Sequence, residues 1–143
     1  MRPTTIIRGV AAFDLLVTAV FAVPPLAKVF VQVVYALDGM ISGGDVAAVA
    51  PAIPPIAWLF FNVAGILGVL WAGVRIVMPM RELAIADAAA RCVVAAWVLY
   101  YCLAESVPSI LLVFVATEVL GSLIQGVAIR RFGIRSTILG EAT

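Results

Sequence analysis

Six polar side chains stand inside stretches of chain that are otherwise apolar: Asp14, Asn62, Asp87, Arg91, Glu118 and Gln125. Carboxylate, guanidinium and amide groups in such surroundings can tie helices together, receive the polar head of an amphipathic molecule, or hold and release a proton. General acid and base work on a buried lipid, as in an isomerase, would need two carboxyl groups converging on one substrate. Asp14 and Glu118 are the pair available for it, but no spacing specific to that chemistry is present, and no catalytic residue is assigned.

Spacing indicates how these groups can meet. Asp87 and Arg91 are four residues apart with the acid first, the favourable order for an ion pair on one helix face. Glu118 and Gln125 are seven apart and share a face, with Ser122 between them. Counting ~1.5 Å per residue from the cytoplasmic ends puts Arg91 about 13 Å deep and Glu118 about 18 Å deep, so Arg91 is expected to be shared by Asp87 and Glu118. Asn62 enters from the opposite side and is expected near the top of this cluster. Asp14 is within reach of Arg8 or Arg75, whose long stems can bend along a helix. Three acids, Asp14, Asp87 and Glu118, face one deeply placed base, so one acid is expected to be neutral or to reach water.

Histidine is absent, which removes the commonest metal ligand and haem ligand. Cys92 and Cys102 fall on one predicted helix roughly 15 Å apart, beyond the ~7 Å limit for a disulfide, and read as buried small hydrophobes. No nucleotide, metal or flavin motif is visible, so neither a cofactor nor a metal is implied.

The chain that carries these groups has 143 residues, of which 65% are hydrophobic and 12% charged, with a mean hydropathy of +1.21. Soluble domains are about 45–50% apolar and about 25% charged. A domain of this length buries only about 70% of the surface of its unfolded chain, so the surplus apolar surface must meet lipid. A soluble enzyme, a disordered tail and a nucleic-acid binder are excluded, the last also by a net charge of only +1.

Four stretches are long and apolar enough to cross a bilayer: Ile6 to Val23, Pro55 to Val77, Leu83 to Leu103 and Pro108 to Ile129. The link Met78-Pro79-Met80 is so short that spans two and three are expected to run antiparallel side by side. After Pro24-Pro25, the residues Lys28, Gln32, Tyr35 and Asp38 recur among Val29, Phe30, Val33, Val34, Leu37 and Ile41. That pattern predicts an amphipathic helix over Leu26 to Ile41, lying on the membrane surface; the alternative is one long kinked first span ending near Leu37. Ser42-Gly43-Gly44 ends this helix, and Asp45 to Ile53 is a small-residue linker.

Arg2, Arg8, Arg75, Arg81, Arg130, Arg131 and Arg135 all fall on one side under a four-span arrangement, while the opposite loops hold Asp38, Asp45 and Glu105. Cytoplasmic loops collect arginine, so both termini are expected in the cytoplasm, with residues 130–143 as a cytoplasmic tail. The N-terminus could be misread as an export signal, but Asp14 stands in the middle of its apolar region. Ala64, Gly68 and Ala72 on span two and Ala84, Ala88 and Ala95 on span three form small-residue stripes, which pack inside the monomer or form a dimer seam. Trp58, Trp97, Tyr100 and Tyr101 toward the outer side, and Trp71 near the inner side, read as an aromatic belt at headgroup level.

The resulting fold class is an all-α integral membrane protein: a single domain forming an antiparallel four-helix transmembrane bundle with a short interfacial helix between spans one and two. The series Arg8-Gly9, Phe13-Asp14-Leu15-Leu16, Phe60-Phe61-Asn62, Ala86-Asp87, Arg91, Glu118, Gly121 and Gln125 resembles small four-span inner-membrane proteins of bacteria. That resemblance covers most of the chain, implies a bacterial inner membrane, and brings no activity with it. The chain is more distantly similar to the DoxX-like and sterol-isomerase-related (EXPERA) four-helix bundles, some of which place acidic residues in a lipid-accessible pocket. The expected function is non-catalytic: binding of a small amphipathic, lipid-like ligand, or an accessory subunit of a membrane complex. A proton-coupled carrier or channel is the alternative. The partners this admits are the bilayer, a small amphipathic ligand, a second copy, or a larger membrane protein.

Overall fold

A computed structural model describes residues 2–41, 52–105 and 107–140, the last eight of these as backbone only. Most of the linker that begins at Ser42, including Asp45, lies outside the described residues, as does the side chain of Arg135. Among the described residues all regular structure is helical: α1 (Pro3–Ala22), α2 (Pro24–Ile41), α3 (Pro55–Val77), α4 (Arg81–Ala104), a short 3₁₀ turn (Ser109–Leu111) and α5 (Leu112–Gly140).

Proline sets several of the boundaries. Pro3 and Pro55 open α1 and α3 at positions whose N–H groups would have no helical partner. Pro24 disfavours helical backbone in the residue before it, and Val23 is extended at φ −109° and ψ 110°. The chain therefore leaves the helix for one residue and re-enters it at once, the N–H of Ala27 donating to the carbonyl of Val23 at 3.0 Å. Between α3 and α4, the Met78 N–H closes the last turn of α3 on the Val74 carbonyl at 2.7 Å. Helix α5 continues through Phe132 to Gly140, where the sequence suggested a tail from Arg130 onward; the stretch Arg130 to Gly140 contains no proline to stop it.

Four helical segments are long and apolar enough to span a membrane, Pro3–Ala22, Pro55–Val77, Arg81–Ala104 and Ser109–Phe132. Large apolar side chains cover their outer faces, among them Leu16, Phe60, Val77, Leu103 and Leu123. Such a surface has no place in water, and the chain is a multi-pass membrane protein.

Helix α1 packs along α3, α4 packs along α5, and α1 also meets α5. The α1–α3 approach is close at Gly65, where a methyl group would collide with the backbone of Phe21 and Ala22, and at Gly68, where it would stand 2.6 Å from the Thr18 methyl. The small-residue face of span two thus packs within the monomer, on Gly65, Gly68 and the buried Ala72, while Ala64 is exposed. Near the Arg8 end of the bundle, Ile7, Ala84 and Ala128 form a buried apolar knot with Ile6, Ile129 and Phe132 against it.

Helices α3 and α4 do not lie side by side as their short link suggested. Among the described residues they share almost no close backbone approach and are joined by the side chains of Trp71, Arg75 and Asp87. A short link fixes only where two helices begin to separate; these long side chains, and a cavity beside them, fill the space between.

Candidate functional site

At the centre of the bundle two arginines and three carboxylates form one network. Arg91, 5% exposed, uses every nitrogen of its fork: Nε donates to Asp87 Oδ2 at 2.8 Å, Nη1 to Glu118 Oε2 at 2.9 Å, and Nη2 to Asp14 Oδ2. The planar guanidinium thereby joins α1, α4 and α5 at one point. Arg75, 1% exposed, donates from Nη2 to Asp14 Oδ2 at 2.6 Å, and its Nη1 lies 2.6 Å from Asp87 Oδ2. Asp14 and Asp87 are thus each shared by both arginines.

Asp87 is the hub. Besides the two guanidinium groups it accepts the indole N–H of Trp71 at 2.8 Å on Oδ1 and the amide of Gln125 on Oδ2. Trp71 also faces the Arg75 guanidinium, 5.7 Å from ring centroid to Cζ, so α3 contributes a cation, a donor and a π-face together. Room for the Arg91 fork comes from Gly121, where a methyl group would stand 2.6 Å from Nη1. Three buried polar atoms in the network make no hydrogen bond, Arg75 Nε, Arg75 Nη1, which has only its ionic contact with Asp87, and Gln125 Oε1.

Of the residues singled out by sequence, Asp14, Asp87, Arg91, Glu118 and Gln125 come together here, and Asn62 does not. The Asn62 amide donates to the Phe21 carbonyl at 2.7 Å, satisfying a backbone acceptor left open where α1 ends. Trp71 is the participant that sequence reasoning placed elsewhere, as a belt residue; Arg75, one of the two candidate partners for Asp14, does pair with it and also reaches Asp87, which the sequence did not suggest. Trp71 and Arg75 fall one turn apart on α3, on the same face as Gly68 and Ala72, and that shared face was the available signal. The expected surplus of acid is therefore reduced: three carboxylates face two deep bases. Cys92 and Cys102 are free thiols; Cys92 is exposed beside Ser122, with Sγ 3.5 Å from Oγ, and is not the buried apolar residue expected.

The network forms the floor of a cavity of about 520 Å³, a volume suited to a small ligand. Asp14, Arg75, Asp87, Arg91 and Glu118 line one part of it, and Leu16, Val20, Val94, Val113 and Phe114 line the rest. Phe30 of α2 reaches its wall and meets Phe21 and Phe114 edge-on at 5.0 and 6.2 Å. A second cavity of about 620 Å³ lies between α1 and α5, lined mainly by apolar side chains such as Ile6, Val10, Leu120 and Ile124, and Arg91 borders it too.

Away from the network, Asp38 near the end of α2 accepts the Ser109 hydroxyl at 2.8 Å and the Ile110 N–H at 3.0 Å. The Ile110 N–H and the Ser109 hydroxyl hold its carboxyl below the usual carboxylate range. Asp38 thereby fixes α2 to the turn that opens the last span. No group of three or more His, Cys, Asp or Glu side chains arranged to hold a metal occurs among the described residues. No family model matches the chain, and neither a curated protein nor a solved structure does, so what the site can do rests on its own chemistry.

Proposed function

We propose that the protein is a non-catalytic binder of a small amphipathic molecule, held within an antiparallel four-helix membrane bundle. The observation that carries this reading is the 520 Å³ cavity, whose floor is charged and whose walls are apolar. A molecule with a polar head and a hydrocarbon tail matches both parts, and the bilayer supplies such molecules at high local concentration. The pairing of Arg8 with the Ile76 carbonyl at one end of α1, and of Asn62 with Phe21 at the other, supports opposite directions for α1 and α3. Asp87 with Gln125, and Arg91 with Glu118, support the same for α4 and α5.

Both termini lie in the cytoplasm of a bacterial inner-membrane setting on this reading. With Arg75 withdrawn into the network, Arg2, Arg8, Arg81, Arg130 and Arg131 still gather at one end of the spans, opposite Asp38 and Glu105. Helix α2 then lies at the outer interface. It keeps Leu26, Val29, Val33, Leu37 and Met40 exposed as an apolar stripe, and Lys28 sits over the Trp58 ring at 5.9 Å.

Native mass spectrometry of the gently solubilised protein tests the reading. The wild type is expected to retain a lipid-sized adduct, and Ala90→Phe, which adds a ring to the cavity wall on α4 while keeping every charged group, is expected to lose it. A bare wild type, or an adduct indifferent to Ala90→Phe, overturns it.

One observation favours a second reading, a proton-coupled carrier: Arg91 borders both cavities and lies between them. That reading requires proton flux in liposomes, lost in Glu118→Gln; sealed vesicles that hold a pH gradient rule it out.

A further inference from the structure

The network does not present its charges evenly to the cavity. Two guanidinium groups and three carboxylates sum to a formal charge of −1, and both cations are spent on the acids. Arg91 has each of its nitrogens engaged, and Arg75 is 1% exposed, so an anionic head would have to displace a carboxylate to reach either. The acids differ in accessibility. The Asp87 side chain is 5% exposed and committed to three donors and a further ion pair, whereas the side chains of Asp14 and Glu118 are 15% and 21% exposed. Both line the cavity, and in each only one oxygen takes part in the bonds described, Oδ2 of Asp14 and Oε2 of Glu118. Asp14 Oδ1 and Glu118 Oε1 are the acceptors left over, on two carboxylates that the same Arg91 guanidinium holds through their other oxygens.

Resting on the reading of this cavity as a ligand site, we propose that the ligand is a cationic amphiphile, whose protonated amine donates to Glu118 Oε1 and Asp14 Oδ1. An ammonium group supplies the positive charge that the network lacks, and its hydrogens meet the acceptors left over. A hydroxyl head satisfies the acceptors but not the charge. The tail lies along Phe30, Val113 and Phe114, away from the ion pairs.

Three probes with the same twelve-carbon tail separate these possibilities: dodecylamine, dodecanol and dodecyl sulfate, each titrated into the purified full chain in a non-ionic detergent, with bound fraction read by native mass spectrometry. Dodecylamine is expected to bind at least about tenfold more tightly than dodecanol, the size of one hydrogen bond to a charged group. Glu118→Gln is expected to erase that advantage. Val17→Lys provides an independent check, because it places an ammonium in the cavity one turn from Asp14 and occupies the ligand's position; it too should abolish the preference for the amine. Equal binding of amine and alcohol by the wild type, or tighter binding of the sulfate, overturns the cationic head while leaving the cavity a ligand site. Persistence of the amine preference in Val17→Lys overturns it as well. If none of the three probes binds, the ligand-site reading itself fails.

Discussion

The guanidinium of Arg91 lies across the backbone of Gly121, so close that a methyl group there would stand 2.6 Å from Nη1 and 3.0 Å from Cζ. Helix α5 thus contributes to the network by omission, giving a large cation space to lie between helices and reach acids on three of them. Gly121→Ala should displace Arg91 and strain all of its bonds at once, lowering stability by about 1–3 kcal/mol. Gly126→Ala, on the same helix with nothing within 4 Å of the added methyl, should be neutral or slightly stabilising through helix propensity. Thermal melting of both variants in detergent checks the contrast, and equal melting would mean that Arg91 finds another route.

Arg75 and Asp14 join α3 to α1 through a bond of 2.6 Å between a guanidinium that is almost wholly buried and a carboxylate that is 15% exposed. Replacing Arg75 by Met strands both Asp14 and Asp87, and breaking a buried pair from one side costs about 3–5 kcal/mol. Asp14→Asn in the same chain should recover part of that loss, since it removes one of the stranded charges. A double-mutant cycle on unfolding is the measurement; independent, additive effects would show that the two residues do not act as a pair.

Much of this network is legible in the sequence, and the parts that are not have physical reasons. The i, i+4 spacing of Asp87 and Arg91 fixes their pairing locally, and the depths of Arg91 and Glu118 follow from counting helix rise. Arg75 is legible only as one of two partners within reach of Asp14, because it stands two residues before the end of its helix, where an arginine ordinarily turns toward water; its further contact with Asp87 is a tertiary effect. Asn62 shows the converse. An amide within a span signals that some partner exists, but not whether the partner is a side chain or the open carbonyl at the end of a neighbouring helix. The separation of α3 from α4 was hidden for a similar reason: linker length speaks to where two helices join and not to what side chains hold apart further along.

Trp71 gives a direct test of whether its indole belongs to the network or to the membrane interface. Its N–H donates to Asp87 at 2.8 Å, and its ring faces Arg75. Trp71→Phe keeps the apolar ring and removes the donor, so it should cost about 1.5–3 kcal/mol, the range for a hydrogen bond to a charged group. Trp58→Phe, at a ring for which no such bond is found among the described residues, should cost less. Equal losses in the two variants would place Trp71 back in the aromatic belt.

Asp38 lies outside the spans and ties the end of α2 to the start of the last span, through the Ser109 hydroxyl and the Ile110 N–H. These donors favour the ionised carboxyl, so its folded-state value lies below the ordinary 3.8. A group whose value is depressed by folding stabilises the fold above its unfolded value, and that contribution is lost as the pH falls through the folded one. The melting temperature of wild type relative to Asp38→Asn should therefore be highest and flat above about pH 5, then decline as the pH drops below about 4. Because the same bonds hold α2, and with it Phe30, against the wall of the cavity, the variant should also exchange bound amphiphile faster than wild type at neutral pH. A pH-independent difference in melting would show that the asparagine amide serves the turn as well as the carboxylate does, and unchanged exchange would show that α2 keeps its place without Asp38.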